Sequence, residues 1–327
     1  MQRKQLATGL CASIGMLILI LDGQTALEGA RTGIELCLKT VVPSLFPFFI
    51  LSILLTSSFS GSSLPLLRPL GRLCGIPRSM EAILISGFLG GYPVGAQSIA
   101  SAYHSGQLSR TDAERMLGFC NNAGPAFLFG MISSLFSDHR TVWILWGIHI
   151  FSAVMVSLLF PADSSDCRKP ANTASISVSD ALRSAIRVMA AVCGWVVLFR
   201  VIITFLSRWV LWLLPNTAQV ALIGILELSN GCCELASIAD PSLRFILCAG
   251  MLAFGGLCVT MQTKAVTVGL SGKYYYLGKV LQTAFSLLLS CAVSLHLWIL
   301  LAAFGVCPLV MFWKRQKRSS IPAAVGV

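Results

Sequence analysis

The chain has 327 residues, of which 56% are hydrophobic and only 11% charged, and its mean hydropathy is +0.80. That composition excludes an ordinary soluble globular domain and indicates a polytopic membrane protein. The net charge of +11 does not indicate nucleic acid, because the cations sit at the ends of apolar stretches and not on a soluble basic face with interleaved aromatics.

The first element is Leu6 to Leu21, behind Arg3-Lys4. It has the form of a secretory signal, but Asp22-Gly23-Gln24-Thr25-Ala26 lacks the small-x-small cleavage pattern and further spans follow, so a retained first helix is expected. Glu28, Arg31, Glu35 and Lys39 at helical spacing then mark an amphipathic interfacial or re-entrant helix over 28–39, supported by i,i+4 charge pairs. Full spans are predicted over 6–22, 41–59, 141–160, 188–206 and 278–304, each near the roughly 20 residues that hydrocarbon requires. Basic residues gather at span ends: Arg3 and Lys4, Arg68, Arg72 and Arg78, Arg208, and finally Lys314, Arg315, Lys317 and Arg318. By the positive-inside rule both termini are cytoplasmic.

Between the spans the apolar material is broken. Residues 79–106 contain Gly90-Gly91-Tyr92-Pro93-Val94-Gly95 and fold most naturally as a re-entrant hairpin of two half-helices. A helix capped by Ser109 or Thr111, with Asp112 and Glu114 in its first turn, runs to Cys120 and stops at Asn121-Asn122-Ala123-Gly124-Pro125. Another apolar piece, Pro125 to Phe136, follows. The same order then returns. Residues 217–239 form a hairpin interrupted at Ser229-Asn230-Gly231; Ser242 to Phe254 form a helix stopping at Gly255-Gly256; Leu257 to Leu270 follow.

Arg31-Thr32-Gly33-Ile34 lies over Arg183-Ser184-Ala185-Ile186 in such an alignment, and Ser98-Ile99-Ala100 over Ser237-Ile238-Ala239. The expected organisation is therefore a first helix over 1–24, one repeat over 25–160, a polar linker over 161–180, a second repeat over 181–305 and a basic tail over 306–327. Irregular backbone at membrane depth survives only inside protein or beside a water-filled cavity, and broken helices in corresponding places of two repeats are where a secondary transporter holds its solute.

Four strings carry a family likeness: Gly91 to Ala96, Phe119 to Pro125, Leu226 to Gly231, and Phe254-Gly255-Gly256-Leu257 with Gln262. In that order they closely resemble the sporulation integral membrane protein family called YlbJ, over roughly residues 25 to 300. The resemblance implies a nucleoside-recognition, or Gate, domain similar to the hairpin-bearing core of concentrative nucleoside transporters. It further implies a multi-pass protein of the bacterial cell membrane or outer forespore membrane that moves dipicolinate from mother cell to forespore. Gln97 departs from the pattern, standing where a Lys is expected in many relatives.

Half-helices are expected to start near Pro93, Pro125, Gly231 and Leu257, each presenting free N–H groups and about half a positive charge, an anion site with few cationic side chains. Gly91, Asn122, Asn230 and Gly256 should then sit at non-helical backbone around a shared centre. The candidate substrate-binding set is Gly91, Tyr92, Pro93, Gln97, Asn121, Asn122, Gly124, Glu227, Asn230, Gly231, Gly256, Gln262 and Thr263. The amides and the hydroxyl either orient a solute or join helices. Glu227 and Glu234 either carry a coupling ion or pair with Arg183, Arg187 or Arg200. Lys264 either draws an anion inward or snorkels. His149 and His296 read as packing donors, and Tyr274-Tyr275-Tyr276 as an interfacial belt.

The expected partners are a small anionic solute, the lipid bilayer and a coupling ion, with no nucleic acid, no cofactor and no metal. The cysteines, among them Cys11, Cys37, Cys120, Cys193, Cys248, Cys258 and Cys291, lie in apolar runs as small hydrophobes, and no CxxC pair occurs. No GxSxG, Walker loop or HExxH supports an enzyme. A Gate-type nucleoside carrier, a channel-like subunit and a non-transporting assembly component are the alternatives to the anion carrier.

Overall fold

Hydrocarbon offers backbone N–H and C=O groups no partner but one another, and among the described residues every regular element is helical. The computed structural model describes residues 2–162 and 176–297, together with positions 302, 305 and 306. Among them, 5 helical runs are long and apolar enough to cross a membrane: Gly23–Ser58, His139–Leu159, Val178–Trp209, Pro241–Val266 and Lys273–Ser294. The chain is an all-α polytopic membrane protein.

Helix α1, Gln2–Leu21, has its apolar part over Gln5–Leu21. Asp22 ends it and caps α2, Gly23–Leu36, accepting from the Thr25 backbone N–H at 3.3 Å and the Thr25 hydroxyl at 2.9 Å. The helix expected over 28–39 is no separate interfacial element. α2 continues through a π turn, Cys37–Val41, into α3, Val42–Ser58, and the run packs along the later helix Val178–Trp209. Glycines decide this. A Cβ on Gly29 would come within 2.9 Å of the Val201 Cα, and one on Gly33 within 3.0 Å of the Val197 Cα, so the two backbones touch along a small-residue stripe. The π turn lies where Pro43 has no N–H to return to Lys39, and the Ser44 hydroxyl donates to the Thr40 carbonyl at 2.7 Å.

After α4, Arg68–Leu73, the first hairpin descends through α5, Ala82–Ile85, and a π turn, Ser86–Gly90. It reverses at Gly91, whose φ is +79°, and returns as α6, Val94–His104. Next comes α7, Arg110–Leu117, capped by the Ser109 hydroxyl, which accepts from the Asp112 N–H at 3.1 Å. It stops short of the expected Cys120, because Gly118 there lies backbone to backbone against Gly278. Helices α8, Pro125–Gly130, and α9, His139–Leu159, complete the first half, the latter agreeing with the span expected over 141–160.

The second half opens with α10, Val178–Trp209, whose 32 residues extend well beyond the span expected over 188–206. At 1.5 Å per residue it measures about 48 Å, more than the roughly 30 Å of hydrocarbon. Helices α11, Asn216–Leu226, and α12, Leu228–Glu234, form the second hairpin. Its break falls at Glu227, so Asn230 and Gly231 are helical, contrary to the expected interruption at 229–231. Helix α13, Pro241–Phe254, stops at Gly255, and α14, Gly256–Val266, starts at once, the two glycines having φ of +80° and +84°. Helix α15, Lys273–Ser294, begins earlier than the span expected over 278–304 and turns out at Leu295-His296. Residues 163–175 of the expected linker, most of 298–304 and the tail from 307 onward lie outside the described residues.

Apolar side chains fill the space on both sides of the breaks. One cluster includes Phe49, Leu128, Leu145, Leu235 and Leu252, and the other Ile99, Met116, Leu117 and Phe119.

Candidate functional site

The first hairpin and the break after α7 interlock through glycine backbone. A Cβ on Gly124 would come within 2.8 Å of the Leu89 carbonyl and 3.0 Å of the Gly91 nitrogen. A Cβ on Gly95 would run into the Cys120 carbonyl. Main chain meeting main chain this closely leaves polar groups that side chains must satisfy. Asn121 and Asn122, both 0% exposed, do so. The Asn121 Oδ1 accepts from the Ala96 N–H at 3.3 Å, covering a free group at the start of α6, and its Nδ2 donates to Thr263 Oγ1 at 2.9 Å, on α14 of the other half. The Asn122 Nδ2 donates to the Phe119 carbonyl at 2.7 Å and the Gly87 carbonyl at 3.1 Å.

In the second hairpin the cap is a carboxylate. Glu227 Oε1 accepts from the Ser229 N–H at 3.0 Å, and Oε2 from the Asn230 N–H at 2.6 Å and the Asn230 Nδ2 at 2.7 Å. These bonds hold α12 helical from Leu228 and account for the shift of the break. Arg200 Nη1 donates to Asn230 Oδ1 at 3.2 Å and approaches Glu234 at 3.6 Å. The arginine partner expected for the acidic pair thus belongs to Glu234, while Glu227 is held by backbone and amide. Gly231 lies against the Gly224 backbone, and a Cβ on Gly256 would meet the Leu228 nitrogen at 3.2 Å.

Tyr92 crosses between the halves. Its hydroxyl donates to the Leu252 carbonyl at 3.1 Å, and a Cβ on Gly255 would touch its ring at 3.2 Å. The same hydroxyl accepts from Lys279 Nζ at 3.0 Å. This lysine of α15 is 2% exposed and donates also to the Asn121 carbonyl at 2.7 Å, Gln282 Oε1 at 3.0 Å and the Ala253 carbonyl at 3.4 Å. Gln282 Nε2 in turn donates to Asn122 Oδ1 at 2.8 Å, and the Ala123 N–H donates to His149 Nε2 at 3.0 Å. His149 is therefore an acceptor at the break, where a packing donor was expected.

Lys279 and Gln282 are absent from the sequence-derived set. The signal for them was present: a lysine and a glutamine three positions apart, on one face of an apolar span, where a charge is costly unless it has partners.

A cavity of about 40 Å³ lies where the breaks of both halves meet, and Gly91, Tyr92, Gly124, Glu227, Ser229 and Gln262 line it. Pro93, Asn121, Asn122, Asn230, Gly231, Gly256 and Thr263 do not line it: Asn121, Asn122, Asn230 and Thr263 are tied into the hydrogen bonds of the breaks, Gly231 and Gly256 lie against backbone of the second hairpin, and Pro93 precedes α6. Two larger clefts flank it. One of about 450 Å³ lies by the C-terminal end of α3, lined by Thr56, Ser57, Gln97, Ser98, Ser101 and Ser105 among others. The other, about 560 Å³, lies by the N-terminal end, lined by Lys39, Thr40, Ser44, Gly130, Ser134 and Cys233 among others.

Gln97 thus faces the first cleft and not the central cavity, its buried Oε1 without a hydrogen bond. Lys264 is exposed beside a separate small cleft shared with Tyr275 and Tyr276. Tyr275 is only 3% exposed, which removes it from the expected interfacial belt.

No family model matches the chain, and no solved structure matches it. It is 27% identical over 315 residues to the sporulation integral membrane protein YlbJ of Bacillus subtilis (strain 168), covering 80% of this chain and 76% of the relative. The matched length, with the all-helical multi-pass architecture, agrees with the resemblance carried by the broken-helix motifs. By sequence the chain is similar to the YlbJ family of sporulation integral membrane proteins.

Proposed function

We propose that the protein is a secondary carrier for a small anionic solute and that the solute site is the cavity between Tyr92 and Glu227. The observation that supports this reading is the convergence of broken helices from both halves on one small space flanked by two larger clefts. Carriers built from repeats place their solute at such a convergence, and the two halves act here as that repeat pair. Helices α6 and α14 begin without a side-chain cap; in α6 the Val94 N–H is taken by the Gly91 carbonyl at 2.9 Å and the Ala96 N–H by Asn121, so the unclaimed N–H groups that favour a ligand are chiefly those at the start of α14. Lys279 adds a buried positive charge that pairs with no carboxylate among the described residues.

A space of about 40 Å³ is far below the roughly 300–1,000 Å³ of ordinary ligand pockets. On this reading the site must widen to take its solute, and the flanking clefts are the two routes that open alternately. The relative's name, a sporulation integral membrane protein, supports a role in sporulation; dipicolinate as the solute and the outer forespore membrane as the location are the choices that the family resemblance implies.

Uptake of radiolabelled dipicolinate and of nucleosides into proteoliposomes tests the assignment. Saturable dipicolinate uptake is expected. Nucleoside uptake in its place would make the protein a Gate-type nucleoside carrier, and flux of neither would leave a membrane assembly component.

A further inference from the structure

The oxygens around Lys279 form a cation site. They are the Asn121 carbonyl at 2.7 Å, the Tyr92 hydroxyl at 3.0 Å, Gln282 Oε1 at 3.0 Å and the Ala253 carbonyl at 3.4 Å. Their origin is as telling as their chemistry. Asn121 lies in the unwound stretch after α7 of the first half, and Ala253 in the last turn of α13, just before the Gly255-Gly256 break of the second. Unwound carbonyls and the C-terminal ends of half-helices are the groups with which broken-helix carriers coordinate a coupling cation, since both present the negative end of the backbone dipole.

The oxygen set is neutral: two carbonyls, an amide oxygen and a hydroxyl. Divalent ions of the Mg²⁺ or Ca²⁺ type call for carboxylates at about 2.0–2.6 Å. A neutral cage with separations of 2.7–3.4 Å suits a monovalent cation of the size of ammonium or potassium, which carbonyl oxygens bind by replacing its water. The ring of Tyr92, with its centroid 4.8 Å from the ammonium, adds a face that favours a monovalent positive charge. Lys279 has three N–H donors and all are held within this cage, so none reaches out to a solute.

We propose that Lys279 is a tethered replacement for a coupling cation: its ammonium occupies a monovalent-cation site between the two broken-helix halves, and the carrier works without binding Na⁺ or K⁺ there. The proposal deepens the transport reading. The cation that a carrier of this architecture would take from solution is supplied by its own chain. It locks the unwound segment of one half to the helix end of the other whatever the salt outside.

The test is thermal melting of the full-length purified protein in detergent, which needs no transported solute. Wild type should melt at one temperature in choline, sodium, potassium or ammonium chloride of equal ionic strength. Lys279→Ala, which vacates the cage, should melt several degrees lower in choline and recover saturably in ammonium or methylammonium chloride, with less recovery in sodium. Saturable stabilisation of wild type by Na⁺ or K⁺ would overturn the proposal. So would a Lys279→Ala protein indifferent to all of these cations, whether it melts low throughout or fails to fold throughout. Ammonium rescue of melting in a protein that moves neither dipicolinate nor nucleosides would uphold the cation site while discarding the carrier.

Discussion

The side-chain amide of Asn121 donates to the hydroxyl of Thr263 across 2.9 Å, joining the break of the first half to the broken helix of the second. Both side chains are buried, and the same Asn121 also accepts from the start of α6. One residue therefore holds together a half-helix start, an unwound segment and a helix of the opposite half.

Removing that amide leaves buried backbone and hydroxyl groups unsatisfied, at about 1–3 kcal/mol. Asn121→Ala is expected to loosen this junction by that amount and to lower transport, while insertion into the membrane continues. Thr263→Val should produce part of the same loss, and the double variant should lose less than the sum of the two. Uptake at equal membrane protein checks this, and normal transport by Asn121→Ala refutes the site.

Glycine substitutions separate the breaks from ordinary helix. Gly91 has φ +79° and a Cβ there would also meet the Gly124 nitrogen at 3.2 Å, so Gly91→Ala should cost about 1–3 kcal/mol of stability. Gly147 and Gly194 lie within α9 and α10, and a Cβ on either meets nothing within 4 Å. Alanine at those two positions should leave melting unchanged or raise it slightly. A Gly91→Ala protein that melts like wild type would mean that the hairpin reversal is not as described.

Glu227 receives N–H groups on both of its oxygens. A glutamine must turn an NH₂ toward one of them whichever way it is oriented, so Glu227→Gln should destabilise the second hairpin by about 1–3 kcal/mol. Because Arg200 pairs with Glu234, no ion pair to Glu227 is lost with the charge. The pH and cation dependence of transport is expected to stay as in wild type. A shifted pH dependence at unaltered melting temperature would instead make Glu227 the coupling group.

Topology is tested by reporter fusions at Met1 and Val327. Basic residues flank both terminal regions, so both fusions should report the cytoplasm. An external C-terminus would require a different number of crossings.

The membrane class and most of the breaks follow from local chemistry alone. A chain this apolar cannot remain in water, Gly91 supplies the positive φ that a reversal needs, and Gly255-Gly256 supplies it again at the end of α13. The Ser109 cap is likewise a short-range bond, between a hydroxyl and an N–H three residues on. Where a different residue type performs the same local task the pattern misleads: a glutamate caps α12, so the break stands at Glu227 while the more turn-like Asn230-Gly231 is helical.

Tertiary structure decided what depends on distant neighbours. The amphipathic spacing of Glu28 to Lys39 describes an interfacial helix just as well as one end of a 36-residue run, and only contact of Gly29 and Gly33 with α10 selects the second. Lys279 in isolation is a charge in an apolar helix. Spacing within α15 announces Gln282 alone; the other oxygens come from Tyr92, Asn121 and Ala253, far away in the chain. Local sequence sets φ, caps and hydropathy because those act over a few residues. A buried cation is tolerable only when groups brought together by the whole fold replace its lost water, so its meaning becomes legible only once the two halves are packed.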